Sequence, residues 1–160
     1  KARADGDKSG TVAYTQGITE PLQFVMQHVD GKGAAKLSEA RGKVVLLHFW
    51  TTWCAYCQSM ETLLAEVRKK FAGRDDVVYV TVNTDEDKDL VAPFLQARKL
   101  DGTLVFADDL DKALHIKSIP TIIVLDRSGK IAYRSQGFAP DGFADALSGA
   151  ITKATAAPAP

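Results

Sequence analysis

The sequence predicts a single α/β domain, and three observations carry that reading. Apolar segments of strand length alternate with segments whose apolar residues recur every three or four positions. The chain is 160 residues long and 46% hydrophobic, enough to bury one full core without cross-links. Its only two cysteines, Cys54 and Cys57, stand where the most apolar strand gives way to a helix.

The first element before that junction is read from "FVMQHVDGKGAAKLSEARGK", where an Asp-Gly turn between short apolar segments suggests a small hairpin and then a helical turn. "KVVLLHFW" follows, a continuous run of β-branched and aromatic residues expected for a strand buried on both faces. Beyond the cysteines, Met60, Leu63, Leu64, Val67 and Phe71 fall on one face of a helix, and Glu61, Glu66, Arg68 and Lys69 are assigned to its polar face. Cys54 then sits at that helix's N-terminus. "VVYVTV", Val77 to Val82, is a second buried strand, and Leu90, Val91, Phe94 and Leu95 give a second amphipathic helix, so the strand-helix-strand order implies parallel neighbours. The region from Ala107 to Lys117 reads as loop. "TIIVLD" and "IAYRSQGF" are strands joined by Asp126-Arg127-Ser128-Gly129, a tight turn and therefore a hairpin. Pro140 is expected to open a last helix with Phe143, Leu147 and Ile151 along one stripe. No internal repeat is present.

Composition excludes some functions. Twenty basic side chains balance twenty acidic ones, and neither sign collects into a block, so nucleic acid is not an expected partner. The apolar run from Val44 to Trp50, interrupted by His48, is far short of the roughly 20 residues that cross a bilayer. The opening "KARADGDKSG" lacks Met and any apolar stretch, which reads as a processed or trimmed start, with residues 1–20 a flexible segment. The domain proper is expected over 21–153, and the small, Pro-rich end "KATAAPAP" makes 154–160 a disordered tail.

Cys54 and Cys57 admit three readings. As a structural staple they close a four-residue loop, worth only roughly 2 kcal/mol by chain entropy. As a metal site, for zinc or for a copper-handling module, they need two further ligands, and His28, His48 and His115 form no second close pair. As a redox pair they need nothing more: a thiolate at a helix N-terminus is stabilised by free N–H groups and the dipole, and a thiol one turn on can resolve a mixed disulfide.

"VVLLHFWTTWCAYC", followed some sixty residues later by "IKSIPTIIVLDRSGKI", resembles the active-site strand and helix and then the cis-proline strand of the thioredoxin fold. "DGKGAAKLSEARGKVVLLHFWTTWC" is similar to the entry of the TlpA/ResA-like branch, extracytoplasmic thioredoxin-like reductases often anchored to bacterial membranes, and the likeness spans Gln23 to Ile151. The resemblance implies a thioredoxin fold: a central mixed sheet flanked by helices, here with an N-terminal β-hairpin extension. It implies a thiol-disulfide oxidoreductase with Cys54 as nucleophile, Cys57 as resolving thiol, Trp53 as the flanking aromatic and Pro120 as the cis-proline. The Ile119 backbone would face the cysteines and pair with an extended substrate strand. Ile119 also favours the reducing direction over isomerase or oxidase activity. The implied partners are protein substrates carrying disulfides or thiols and a redox protein that recycles the cysteines, with no cofactor. The resemblance further implies a monomer, a membrane tether upstream of Lys1 and a periplasmic or otherwise extracytoplasmic bacterial location.

The chain also departs from that pattern. Between the cysteines Ala55-Tyr56 lacks the proline of many reductases, and Tyr56 is similar to the dipeptides of isomerases and glutaredoxins. Met60 stands three residues beyond Cys57, where ResA-like proteins tend to carry a glutamate; it is expected in the helix's apolar face, with Glu61 next to it. His48, six residues before Cys54, occupies the place of the buried acid of thioredoxins. Strand alternation puts it on the face of Leu46 and Trp50, its ring in the core near Cys57. Two accounts of it stand open: a neutral core histidine with one hydrogen bond, or the base that takes the Cys57 proton.

Overall fold

The computed structural model describes residues 20–160; the segment read as 1–20 lies, but for Glu20, outside the described residues. Strands β1 (Val25–Gln27) and β2 (Ala34–Lys36) pair antiparallel as the small hairpin expected from the Asp-Gly turn. A five-stranded sheet follows, built from β3 (Val44–Trp50), β4 (Val77–Asn83), β5 (Thr103–Phe106), β6 (Thr121–Leu125) and β7 (Ile131–Gln136), in the order β5-β4-β3-β6-β7. The β5-β4-β3 side is parallel and the β3-β6-β7 side antiparallel. Helices α1 (Ala55–Lys70), α2 (Val91–Ala97), α3 (Leu110–Ala113) and α4 (Phe143–Ala156) complete it.

β3 is the axis of the molecule, and all seven of its residues are buried. Because successive strand side chains point to opposite faces, Val45, Leu47 and Phe49 meet Leu22, Met26, Leu37 and Leu110 of the hairpin layer and α3. Val44 and Leu46 meet Met60, Leu64 and Val67 of α1 and Leu147 and Ile151 of α4. His48 and Trp50 continue this second face toward the carboxyl end of the sheet, where α1 begins.

The β6–β7 turn forms as its residues predict. The Asp126 carboxylate accepts hydrogen bonds from Ser128 N (2.9 Å), Ser128 Oγ (2.6 Å) and Lys130 N (3.0 Å). Gly129, at φ +89°, donates its N–H to Asp126 O (2.9 Å); a Cβ there would stand 2.6 Å from Leu22 and in a left-handed backbone.

Four features differ from the sequence reading. β5 lies in a stretch not assigned as a strand, because it is a four-residue edge strand with one fully buried side chain, Val105. The Ala107–Lys117 segment contains α3, whose Leu110 and Ala113 plug the hairpin-side core. Pro140 does not open the last helix: Phe143 does, and Phe143 N donates back to Pro140 O (3.1 Å), so the proline belongs to the preceding turn. α4 also runs to Ala156, into the segment read as tail, because Ala154 and Thr155 are buried and Arg127 Nη2 donates to Thr155 O (2.8 Å).

Candidate active site

The two cysteines sit at the start of α1 as a disulfide. Cys54 is the N-cap residue, extended at φ −96° and ψ 103°, and its Sγ accepts a hydrogen bond from Cys57 N at 3.0 Å. The cap role is normally played by a Ser, Thr, Asp or Asn oxygen; here sulfur occupies it, facing the unpaired N–H groups of the first turn. Cys54 is 6% exposed and Cys57 2%, so the second sulfur lies deeper. Trp50, Val91, Phe94 and Ile119 pack around the pair as an apolar collar.

The loop that delivers Cys54 is clamped from below. Asp85, 8% exposed, accepts from Thr52 N (2.8 Å), Thr52 Oγ1 (3.0 Å) and Asn83 Nδ2 (2.8 Å), while its own N–H donates to Asn83 Oδ1 (3.0 Å). A buried carboxylate with several donors is well satisfied, and Thr52 is thereby fixed two residues before Cys54. The sequence offered no periodicity that would single out Asp85.

The Ile119–Pro120 bond is cis. Pro120 is buried and its carbonyl accepts from Gly137 N (2.8 Å), whereas Ile119 lies just before the ladder that begins at Thr121, and its side chain touches the cysteine collar. Thr121 Oγ1 donates to Ser118 O (2.6 Å) and pins this bend. A groove of about 550 Å³ opens between the two loops, lined by Trp53, Asp85, Glu86, Asp87, Asp111 and Ile119 among others. Burial raises the Asp111 carboxyl above its ordinary range. Trp53 (71% exposed) and Tyr56 (64%) stand outside the core, Tyr56 stacked on Phe138 with ring centroids 5.4 Å apart. Ala55 is exposed between them.

Below the disulfide lies a group of residues that the sequence only half disclosed. His48, 1% exposed, has its Nδ1 2.7 Å from Glu61 Oε2, and Glu61 Oε1 accepts from Arg68 Nη1 at 3.3 Å. Arg68 also lies over the Tyr79 ring, 5.5 Å from its centroid, and 3.7 Å from Asp101 Oδ2. Glu61 and Arg68 therefore are not on the solvent face of α1; each is about five-sixths buried, on the flank facing β3 and β4. Burial alone would push the Glu61 carboxyl up, but the hydrogen bond from His48, the charge His48 carries when protonated and the charge of Arg68 outweigh it and hold it below the usual glutamate range. A carboxylate can only accept, so the His48 proton is on Nδ1. In the neutral imidazole the lone pair is then on Nε2, which has no hydrogen-bond partner among the described residues. His48 lines a small pocket of about 10 Å³ together with Trp50, Cys57, Gln58, Glu61 and Phe94. The signal for Glu61 was its spacing, four residues after Cys57 and seven before Arg68, which puts all three on one side of the helix. Met60, by contrast, is buried in the α1–α4 core as expected.

His28 is held by its backbone, which bridges Val105 and accepts Gly31 N (3.1 Å), and His115 lies in a left-handed turn at φ 56°. Among the described residues no three of His, Cys, Asp and Glu come together in the manner of a metal site, and no helix is long and apolar enough to cross a membrane.

The chain as a whole is similar to known proteins. A family model described as thioredoxin-like matches residues 42–131, which includes both cysteines and the cis-proline. The thiol-disulfide oxidoreductase ResA of Bacillus subtilis is 31% identical over 126 residues, covering 77% of this chain and 68% of that protein. The crystal structure of StoA from Bacillus subtilis superposes with a TM-score of 0.63 at 28% identity, covering 79% of this chain and 94% of that one. The exposed lipoprotein thioredoxin Etrx1 of Streptococcus pneumoniae superposes at 0.68 with 25% identity, over 81% and 98% of the two chains. With more than half of its length matched by the family model and a relative 31% identical over 77% of it, the chain belongs to the thioredoxin-like family, among the ResA-like thiol-disulfide oxidoreductases.

Proposed function

We propose that the protein reduces disulfides in other proteins outside the cytoplasm, with Cys54 as the attacking thiolate and Cys57 as the resolving thiol. The observation that carries this reading is the asymmetry of the pair: Cys54 Sγ caps α1 and accepts Cys57 N, while Cys57 is the more buried and borders the His48 pocket. A thiolate is favoured where N–H groups point at it and is the nucleophile of exchange.

In the reduced form Cys54 attacks one sulfur of a substrate disulfide, forming the mixed disulfide and releasing the other substrate sulfur as thiolate. Cys57 then gives its proton to His48 Nε2 and attacks Cys54 Sγ; the Cys54–substrate bond breaks, and its electron pair leaves on the substrate sulfur. The substrate gains two electrons and the protein is left as the Cys54–Cys57 disulfide. A second protein carrying a dithiol restores the pair by the reverse exchange. The substrate lies extended in the groove beside Trp53, with its backbone paired to Ile119, and Tyr56 and Ala55 flank the sulfur from the other side.

The reducing direction is supported by the apolar collar of Trp50, Val91, Phe94 and Ile119, which desolvates a thiolate pair and so favours the disulfide form of this protein. The extracytoplasmic setting is supported by the similarity to an exposed lipoprotein thioredoxin. Replacement of Cys57 by Ser tests the reading. The variant should accumulate a mixed disulfide with substrate through Cys54; accumulation through Cys57 in the Cys54→Ser variant alone would reverse the assignment.

A further inference from the structure

The proton route out of Cys57 depends on which nitrogen of His48 is bare, and that is decided by a residue on the helix opposite. We propose that Glu61 is a positioning residue of the exchange reaction: by accepting the Nδ1–H of His48 it fixes the tautomer and ring orientation that aim Nε2 at Cys57. The proposal rests on His48 being the base for Cys57.

Several observations bear on it. The Glu61 Oε2–His48 Nδ1 distance of 2.7 Å is that of a charge-assisted hydrogen bond. Glu61 in turn is held by Arg68 through its other oxygen, so the carboxylate cannot swing away without breaking an ion pair inside the protein. The neighbours of His48 on the flanking strands are Thr81 and Ile122. Thr81 Oγ1 is engaged with Asp101 O at 2.7 Å, and Ile122 has nothing to offer. Gln58 also lines the pocket, but the side chain that His48 meets at hydrogen-bond distance is Glu61, and that contact sets the tautomer. Among the described residues Nε2 is buried and has no hydrogen-bond partner, a costly state of the kind found at functional sites. The shared pocket is at the lower limit for holding one water, so transfer from the Cys57 thiol runs directly or through a single water. The spacing Cys57-x-x-x-Glu61 makes this economical, because one helical turn carries both the acid being deprotonated and the residue that orients its base.

The test separates Glu61 from His48. In the reduced wild type, nitrogen-detected NMR of the imidazole should report the Nδ1–H tautomer, and in Glu61→Gln a mixture or the Nε2–H form. In rapid mixing, Glu61→Gln should slow resolution of a preformed mixed disulfide at least about tenfold while leaving attack by Cys54 unchanged. Glu61→Asp should recover part of that loss. Resolution unchanged in His48→Ala removes the base and with it the proposal. Slow resolution in His48→Ala with a wild-type rate in Glu61→Gln overturns the role of Glu61 alone. Should Glu61→Gln fail to fold, an Nε2–H tautomer in the wild type overturns it by itself.

Discussion

His48 Nδ1 and Glu61 Oε2 are 2.7 Å apart, the first on the central strand and the second one helical turn beyond Cys57. This contact ties β3 to α1 beneath the disulfide. It also makes the stability of the site depend on the charge of Glu61.

That dependence has a sign. The Glu61 carboxyl is held below its unfolded value, so its contribution to stability is present above the ordinary glutamate pKa of about 4.3 and is lost as pH falls through the folded value. The wild type should lose more stability between about pH 5 and pH 3 than Glu61→Gln does. Urea unfolding at these two pH values measures the difference, and equal losses in both proteins would contradict it.

Asp85 should matter to the fold of the active-site loop rather than to chemistry. Asp85→Ala removes an acceptor that holds both the N–H and the hydroxyl of Thr52 and leaves Asn83 Nδ2 unpaired. The expected cost is about 2–3 kcal/mol, read as a lower urea midpoint at constant slope.

Trp53 is expected to behave in the opposite way. At 71% exposure it supports little of the core, so Trp53→Ala should change stability by no more than about 0.5 kcal/mol. It lines the groove beside Ile119, and its loss should lower kcat/KM for a protein disulfide several-fold while sparing a small aromatic disulfide reagent. Equal effects on both substrates would remove Trp53 from docking.

The proposed reducing role sets an expectation for the reduction potential. It should fall near the thioredoxin value of about −270 mV and well below the roughly −120 mV of a strong oxidant. Equilibration of the pair with glutathione, read by mass after thiol trapping, gives the number.

The parts of this structure that were legible in the sequence are those fixed by local pattern. β3, β4 and β6 are largely buried and show as mostly apolar runs, with His48 inside β3 and Thr81 inside β4, and the Asp126–Gly129 turn shows through its residue types. The cysteines show because nothing else in the chain has their chemistry. β5 stayed hidden because an edge strand needs neither length nor continuous apolarity. Glu61 and Arg68 stayed hidden for a different reason: amphipathic periodicity sorts residues by polarity, and a charged pair satisfied by His48 and Tyr79 can lie against the sheet while reading as solvent face. Asp85 acts through contacts made by neighbouring loops, which only the fold brings together.

The division of labour between the two sulfurs is the central claim, and alkylation of the reduced wild type tests it most directly. Limiting iodoacetamide is added across about pH 5 to 9, and the modified cysteine is identified by peptide mass. Cys54 should be modified first at every pH, with a rate that is still substantial well below the ordinary thiol pKa of about 8.5. Modification of Cys57 ahead of Cys54 would contradict the account.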